Sequence, residues 1–171
     1  MFGDFVTLYP VMLETMLYPI WTNAKISLGW LDGTKALSKR IPISWNQEET
    51  TIESAVLVVS AKNESVYGTT VMRLFLNGNK IIDYSFWFSG LYTDRLDVSA
   101  FLLNGPNQFD VDFTKNPVIN PGAELTLTVT MELTYEGDQP LPPPPEWPEW
   151  WPLVPIGIVG FGVGLYLYTQ R

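Results

Sequence analysis

Leu125-Thr-Leu-Thr-Val-Thr-Met-Glu-Leu-Thr-Tyr-Glu136 puts Leu125, Leu127, Val129, Met131, Leu133 and Tyr135 at every second position, with threonine or glutamate between them. Successive side chains of an extended strand point to opposite faces, so this stretch reads as a strand with one apolar face and one wet face. Phe109, Val111 and Phe113 alternate with Gln108, Asp110 and Asp112 in the same way. Ala55 to Val59 is apolar at every position, the mark of a central strand covered on both faces. Asn77-Gly78-Asn79 joins Val71–Leu76 to Lys80–Phe88 and is a hairpin signal, because Asn and Gly accept positive φ. Together these elements predict an all-β sandwich over residues 22–138.

Composition narrows the chemistry. The chain has 171 residues, enough for one domain with an appendage. It contains no histidine and no cysteine, which removes imidazole and thiolate nucleophiles, the usual soft metal ligands and disulfides. Ten basic against eighteen acidic side chains give a net charge of -8, so the chain lacks the positive field that concentrates on phosphate backbones, and no nucleic-acid partner is expected. Nor does the sequence imply a cofactor. Phosphate-cradling glycine loops and nucleophile elbows are absent. Asp110 and Asp112 sit two apart and face the same way, but the apolar residues around them explain that spacing as a solvated strand face. The chain reads as a non-enzyme.

The run Leu76-Asn-Gly-Asn-Lys80, a second strand, and then Leu96-Asp-Val-Ser-Ala-Phe-Leu-Leu-Asn-Gly-Pro-Asn-Gln-Phe-Asp-Val-Asp-Phe113 resembles the galactose-binding-like jelly rolls over residues 54–135. Leu76, Asn77, Gly78, Asp97, Val98, Ser99, Leu102, Gly105 and Asn107 carry the resemblance. It implies a single jelly-roll β-sandwich rather than a ligand. In that superfamily loops at one rim hold sugar or calcium, and none of those ligand residues is matched in this chain.

Both ends change character. Residues 139–149 are rich in proline, and four consecutive prolines favour a semi-rigid spacer. From Trp150 to Gln170 there are 21 uncharged residues, close to the roughly 20 that a helix needs to span a bilayer. Residues 150–171 are therefore expected to form a transmembrane anchor through Leu153, Val154, Ile156, Ile158, Val159, Phe161, Val163, Leu165 and Leu167. Trp150 and Trp151 mark one interface, and Tyr166 and Tyr168 the other. The alternative is a buried apolar hairpin, favoured by Pro152, Pro155 and the glycines. Gly160 and Gly164 have the spacing that lets helix backbones pack closely in lipid. Residues 1–21 have no basic leader, carry Asp4 and Glu14, and are broken by Pro10 and Pro19, so no signal peptide is expected. Phe5, Leu8, Met12, Leu13, Met16, Leu17 and Ile20 recur at helical spacing and read as a short helix or an apolar arm. That segment packs either on the sandwich or on a neighbouring subunit or membrane surface.

Aromatic side chains are the remaining candidates for recognition. Tyr84 to Phe88 puts aromatics on both faces of one strand, so one of them should lie outside the core. Trp87 and Tyr92 are the candidates for ligand or subunit contact. These features predict a non-catalytic, membrane-anchored structural protein of a large assembly, a virion component of capsid or tail type. Its partners would be membrane lipid, further copies of itself and other structural subunits. The competing reading is a glycan-binding module tethered by a single span to a host or cell membrane.

Overall fold

The computed structural model describes residues 12–65, 67–115 and 121–140. Eight strands follow one another: β1 (Glu14–Leu28), β2 (Thr34–Ile43), β3 (Thr50–Ser65), β4 (Thr69–Leu76), β5 (Asn79–Trp87), β6 (Gly90–Asp97), β7 (Gly105–Lys115) and β8 (Ala123–Gly137). A single 3-10 turn, Ser99–Phe101, joins β6 to β7. The strands form two antiparallel sheets, in the orders β1-β8-β3-β6 and β2-β7-β4-β5.

The pairing has a simple rule. β1 pairs with β8, β2 with β7, β3 with β6 and β4 with β5. The chain is thus one long antiparallel hairpin whose tip is the β4–β5 turn, wrapped so that β3 also meets β8 and β4 meets β7. This is jelly-roll-like connectivity. The tip is the Asn77-Gly78 pair, with φ of 51° and 78°, where a two-residue hairpin turn needs both central residues left-handed.

The core lies between the sheets and follows the alternation expected of it. Leu125, Leu127, Val129, Met131 and Leu133 of β8 are fully buried, as are Phe109, Val111 and Phe113 of β7. Ala55, Leu57 and Val59 face them from β3, which has a neighbour on each side. Thr126, Thr128 and Thr130 lie on the outer face of the same sheet.

The start of the domain differs from expectation. The segment taken for a short helix or arm is the first half of β1, which pairs with β8 from Glu14↔Tyr135 onward, so the boundary at residue 21 does not exist. Tyr18 and Ile20 are buried while Leu17 and Pro19 are exposed, a period of two that overrides the helical spacing once a strand partner is present. A bulge around Trp21–Asn23, with Asn23 at φ 51°, then resets the alternation to Ala24, Ile26 and Leu28. The anchor expected over residues 150–171, with Gly160 and Gly164, and the linker beyond Pro140 lie outside the described residues. Among the described residues, no helix is long and apolar enough to cross a membrane.

The strand directions define two poles. Residue 12, Pro140 and the β2–β3, β4–β5 and β6–β7 connections lie at one; the β1–β2, β3–β4, β5–β6 and β7–β8 connections lie at the other. The first pole is pinned by a polar network. Asn107 is wholly buried; its Nδ2 donates to the Leu103 and Gly105 carbonyls, and its Oδ1 accepts from Leu103 N and Asn77 Nδ2. Asn77 Oδ1 in turn accepts from Gln108 N at 2.8 Å. Nearby, Gly137 at φ 96° runs against the β2–β3 turn so closely that a Cβ would lie 1.8 Å from the Glu49 carbonyl oxygen.

Removing the Asn107 amide leaves several buried backbone groups unpaired. Asn107→Ala is expected to cost about 2–3 kcal/mol in urea unfolding, against less than about 0.5 kcal/mol for Thr128→Ala on the outer face.

Candidate functional site

The pole opposite the chain exits carries exposed apolar side chains on turns that are held firmly from below. In the β1–β2 turn, Asp32 N donates to the Gly29 carbonyl at 3.2 Å, and Asp32 Oδ2 accepts from Gly29 N at 2.7 Å. Lys35 pairs with Asp32 at 2.9 Å, and its hydrogen bond, with that from Gly29 N–H, holds the Asp32 carboxyl below the usual carboxylate range. The buried Lys115 Nζ donates to the Trp30 carbonyl at 3.1 Å. So clamped, the turn presents Trp30 and Leu31 outward, 69% and 89% exposed.

The β5–β6 connection at the same pole crosses from one sheet to the other in two residues. Phe88 takes φ of 60° to do so, a conformation that costs an aromatic residue on the order of 1 kcal/mol or more. Its N–H donates to the Gly68 carbonyl at 3.2 Å, and its carbonyl accepts from Asn63 Nδ2. Phe88 is half exposed, Trp87 is 77% exposed, and Tyr67 and Leu91 complete this corner.

Beneath the rim the core becomes polar. Asn63, Ser65, Thr70 and Lys115 are all buried near this end of the sandwich. Asn63 Oδ1 and Thr70 Oγ1 are buried without a hydrogen-bond partner. Asn63 also begins an Asn-Glu-Ser sequon, but its amide is buried and spent on the Phe88 carbonyl, which removes it as a glycan acceptor in the folded chain.

Beside this corner an open cleft of about 610 Å³ is lined by Glu64, Ser65, Ser89, Pro121, Gly122, Ala123 and Glu124. Glu64 and Glu124 are opposite each other in the β3–β8 register, yet each has a lysine partner, Lys62 and Lys25. The Lys25 and Ser27 hydrogen bonds hold the Glu124 carboxyl below its ordinary range, so neither carboxylate is placed as a proton donor at neutral pH. Among the described residues, no group of three or more acidic side chains is placed to hold a metal ion.

The sequence candidates fall on different surfaces. Trp87 points outward from β5, whereas Tyr92 points inward on β6 and packs against Tyr84, ring centroids 4.5 Å apart. Burial, then the hydrogen bond donated to Asp94 at 2.9 Å, pushes the Tyr92 hydroxyl up to about 12, so it stays a proton donor across the physiological range. Asp110 is taken up by Ser38 and Gln108 on the outer face of β7, as a solvated strand face requires. Trp45 is half-buried and bonded through its backbone to Asn104. Trp30, Leu31 and Phe88 were not legible as a site, because no periodicity governs turn residues. The membrane-anchor residues Trp150 to Tyr168 lie outside the described residues.

No known protein family matches the chain, and neither does any curated protein. Similar solved structures include dimeric latent PorU from Porphyromonas gingivalis, with 14% identity and a TM-score of 0.48, over 75% of this chain and 13% of that one. A structure of infectious bursal disease virus Gx strain has 10% identity and a TM-score of 0.41, over 84% and 46%. A Podospora anserina GH26-CBM35 β-(1,4)-mannanase has 13% identity and a TM-score of 0.35, over 77% and 29%. The chain spans less than half the length of each. The likeness is that of β-sandwiches and places the chain in no superfamily, the galactose-binding-like one included.

An exposed aromatic held at positive φ contributes nothing to folding at its own position. Phe88→Asn should leave stability unchanged or raise it by up to about 1 kcal/mol, whereas Phe86→Ala in the core should cost about 3–5 kcal/mol, both read from thermal melts.

Proposed function

We propose that this chain is a non-catalytic structural protein of a large assembly, a virion component of capsid or tail type, held to lipid by its C-terminal segment. The observation that carries this reading is the pole opposite the chain exits, where Trp30, Leu31, Trp87 and Phe88 are exposed on turns clamped by buried polar groups. Rigidly presented apolar side chains of this size need a covering surface. The jelly-roll-like sandwich supplies a stiff block that leaves its turns free to make such contacts. The partners are further copies of this chain, other structural subunits and membrane lipid, and no cofactor is required. A tether leaving from the pole of residue 12 and Pro140 would set the aromatic pole away from the membrane.

A second reading is favoured by Trp87 alone. A tryptophan 77% exposed on a flat sheet face presents an apolar plane with a polar edge, the shape that stacks on a sugar ring. On that reading the chain is a tethered glycan-binding module.

Full-length protein in mild detergent is expected to sediment as a discrete oligomer and to show a ring or shell fragment by negative stain. Gly160→Leu with Gly164→Leu should reduce that oligomer if the anchor helices pack through their glycines. A monodisperse monomer that binds a glycan array, with binding lost in Trp87→Ala, would establish the second reading instead.

A further inference from the structure

Four strands lie at sheet edges: β1, β6, β2 and β5. Exposed edges invite pairing with another chain, and proteins block them with proline, lysine, bulges or twist. β1 carries Pro19, Lys25 and the bulge at Trp21. β2 carries Pro42 with Lys35 and Lys39. β5 carries Lys80 and a register shift opposite Leu74 and Phe75. β6 has none of these. Its eight residues pair with β3 without a shift, from Val56↔Asp97 to Asn63↔Gly90.

The direction of its free groups follows from one hydrogen bond. Val98 N donates to the Ala55 carbonyl at 2.8 Å, directly across the ladder. In an antiparallel pair such positions alternate, so Leu96, Asp94 and Tyr92 also turn their backbone groups to β3. Leu91, Thr93, Arg95 and Asp97 turn theirs away from the sheet.

We infer that β6 is the interface for a second copy of this chain, pairing antiparallel with its own counterpart about a two-fold axis at Thr93. The inference rests on the assembly reading above for the identity of the partner. The strand is self-complementary in this register. With both inner faces on the same side, Thr93 meets Thr93 of the other copy, and Leu91 meets Arg95 on the outer face. Tyr92 meets Asp94 on the inner face. The Leu91 side chain, 65% exposed in the single chain, then lies against the aliphatic stem of arginine. The Tyr92 hydroxyl, already a donor to an aspartate, faces a second one. Centring the axis on Asp94 instead would set two carboxylates opposite each other, which is unfavourable. The result is a continuous eight-stranded sheet across two sandwiches, with an isologous interface.

The absence of cysteine makes the test direct. Thr93→Cys is introduced into the full-length protein in mild detergent and treated with a short bis-thiosulfonate crosslinker. Paired Cα atoms across such an axis lie about 5.5 Å apart. A covalent dimer is expected, about tenfold more abundant than from Ala36→Cys on the guarded strand β2. Leu91→Cys with Arg95→Cys should crosslink as well. Adding Thr93→Pro to that pair should abolish the crosslink, because it removes an outward N–H and leaves the β3 ladder whole. No dimer from either cysteine set, or equal dimer from Ala36→Cys, overturns the inference. If that result comes from protein still sedimenting as an oligomer, the β6 interface fails alone; if the protein is monomeric, the assembly reading fails with it.

Discussion

The buried amide of Asn107, bonded to Asn77 across the hairpin tip and to the Leu103 and Gly105 backbone, fixes where the rolled hairpin begins. Every strand pairing in the molecule is counted outward from that tip, from β4 with β5 to β1 with β8. A slip of one residue there would turn the apolar face of β7 to solvent, since side chains alternate strictly along a strand. The amides prevent it by bonding backbone groups that have no other partner in reach. Gln108 N is tied to the Asn77 side chain, and Asn77 N to the Gln108 carbonyl, so turn and strand hold each other in register. A fold with this much long-range pairing depends on a few local devices that make one register cheaper than its neighbours.

How much of this was legible depends on whether a residue's role is local. β7 and β8 were readable because half-buried strands carry their own alternation, and the hairpin tip because Asn-Gly needs positive φ wherever it occurs. The Asp97–Ser99 turn was readable for the same reason: Asp97 Oδ1 accepts from Ser99 N and Oγ, two residues away. β1 was misread because its bulge breaks the period of two, and the remaining apolar residues fall by accident on a helical stripe. Only the partner strand β8, more than 90 residues away, decides between the two. β6 gave no signal, since an edge strand with one half-buried face needs few apolar residues. The candidate site was legible at Trp87 and illegible at Trp30, Leu31 and Phe88, whose exposure is set by turn geometry rather than by pattern.

The two poles answer different demands. At the exit pole polar groups are buried and paired, and Gly137 lets β8 pass against the Glu49 carbonyl with no room for a side chain. At the aromatic pole the chain accepts costs that folding alone would remove. Phe88 sits at positive φ, and Asn63 and Thr70 keep buried oxygens without partners. Each is of order 1 kcal/mol or more, and none is offset by burial of the aromatic side chains it helps to display. Such local costs, gathered at one end of an otherwise regular sandwich, mark that end as shaped for contact.

The lateral edge adds a constraint that the poles alone do not supply. Pairing β6 with β6 uses the side of the sandwich, so it leaves the aromatic pole and the chain exits on opposite ends of both copies. The two-fold axis runs through the sheet and lies across the line joining the poles, as antiparallel strands require. The exits of the two copies therefore point in opposite directions along β6. Two chains joined this way cannot both be tethered to one flat membrane with their strands upright. They lie on it sideways, or they bridge two surfaces. The edge thus couples the arrangement of the sandwiches to the geometry of whatever they are tethered to, and a strand left unguarded by proline, lysine or bulge becomes a statement about the assembly rather than about the fold.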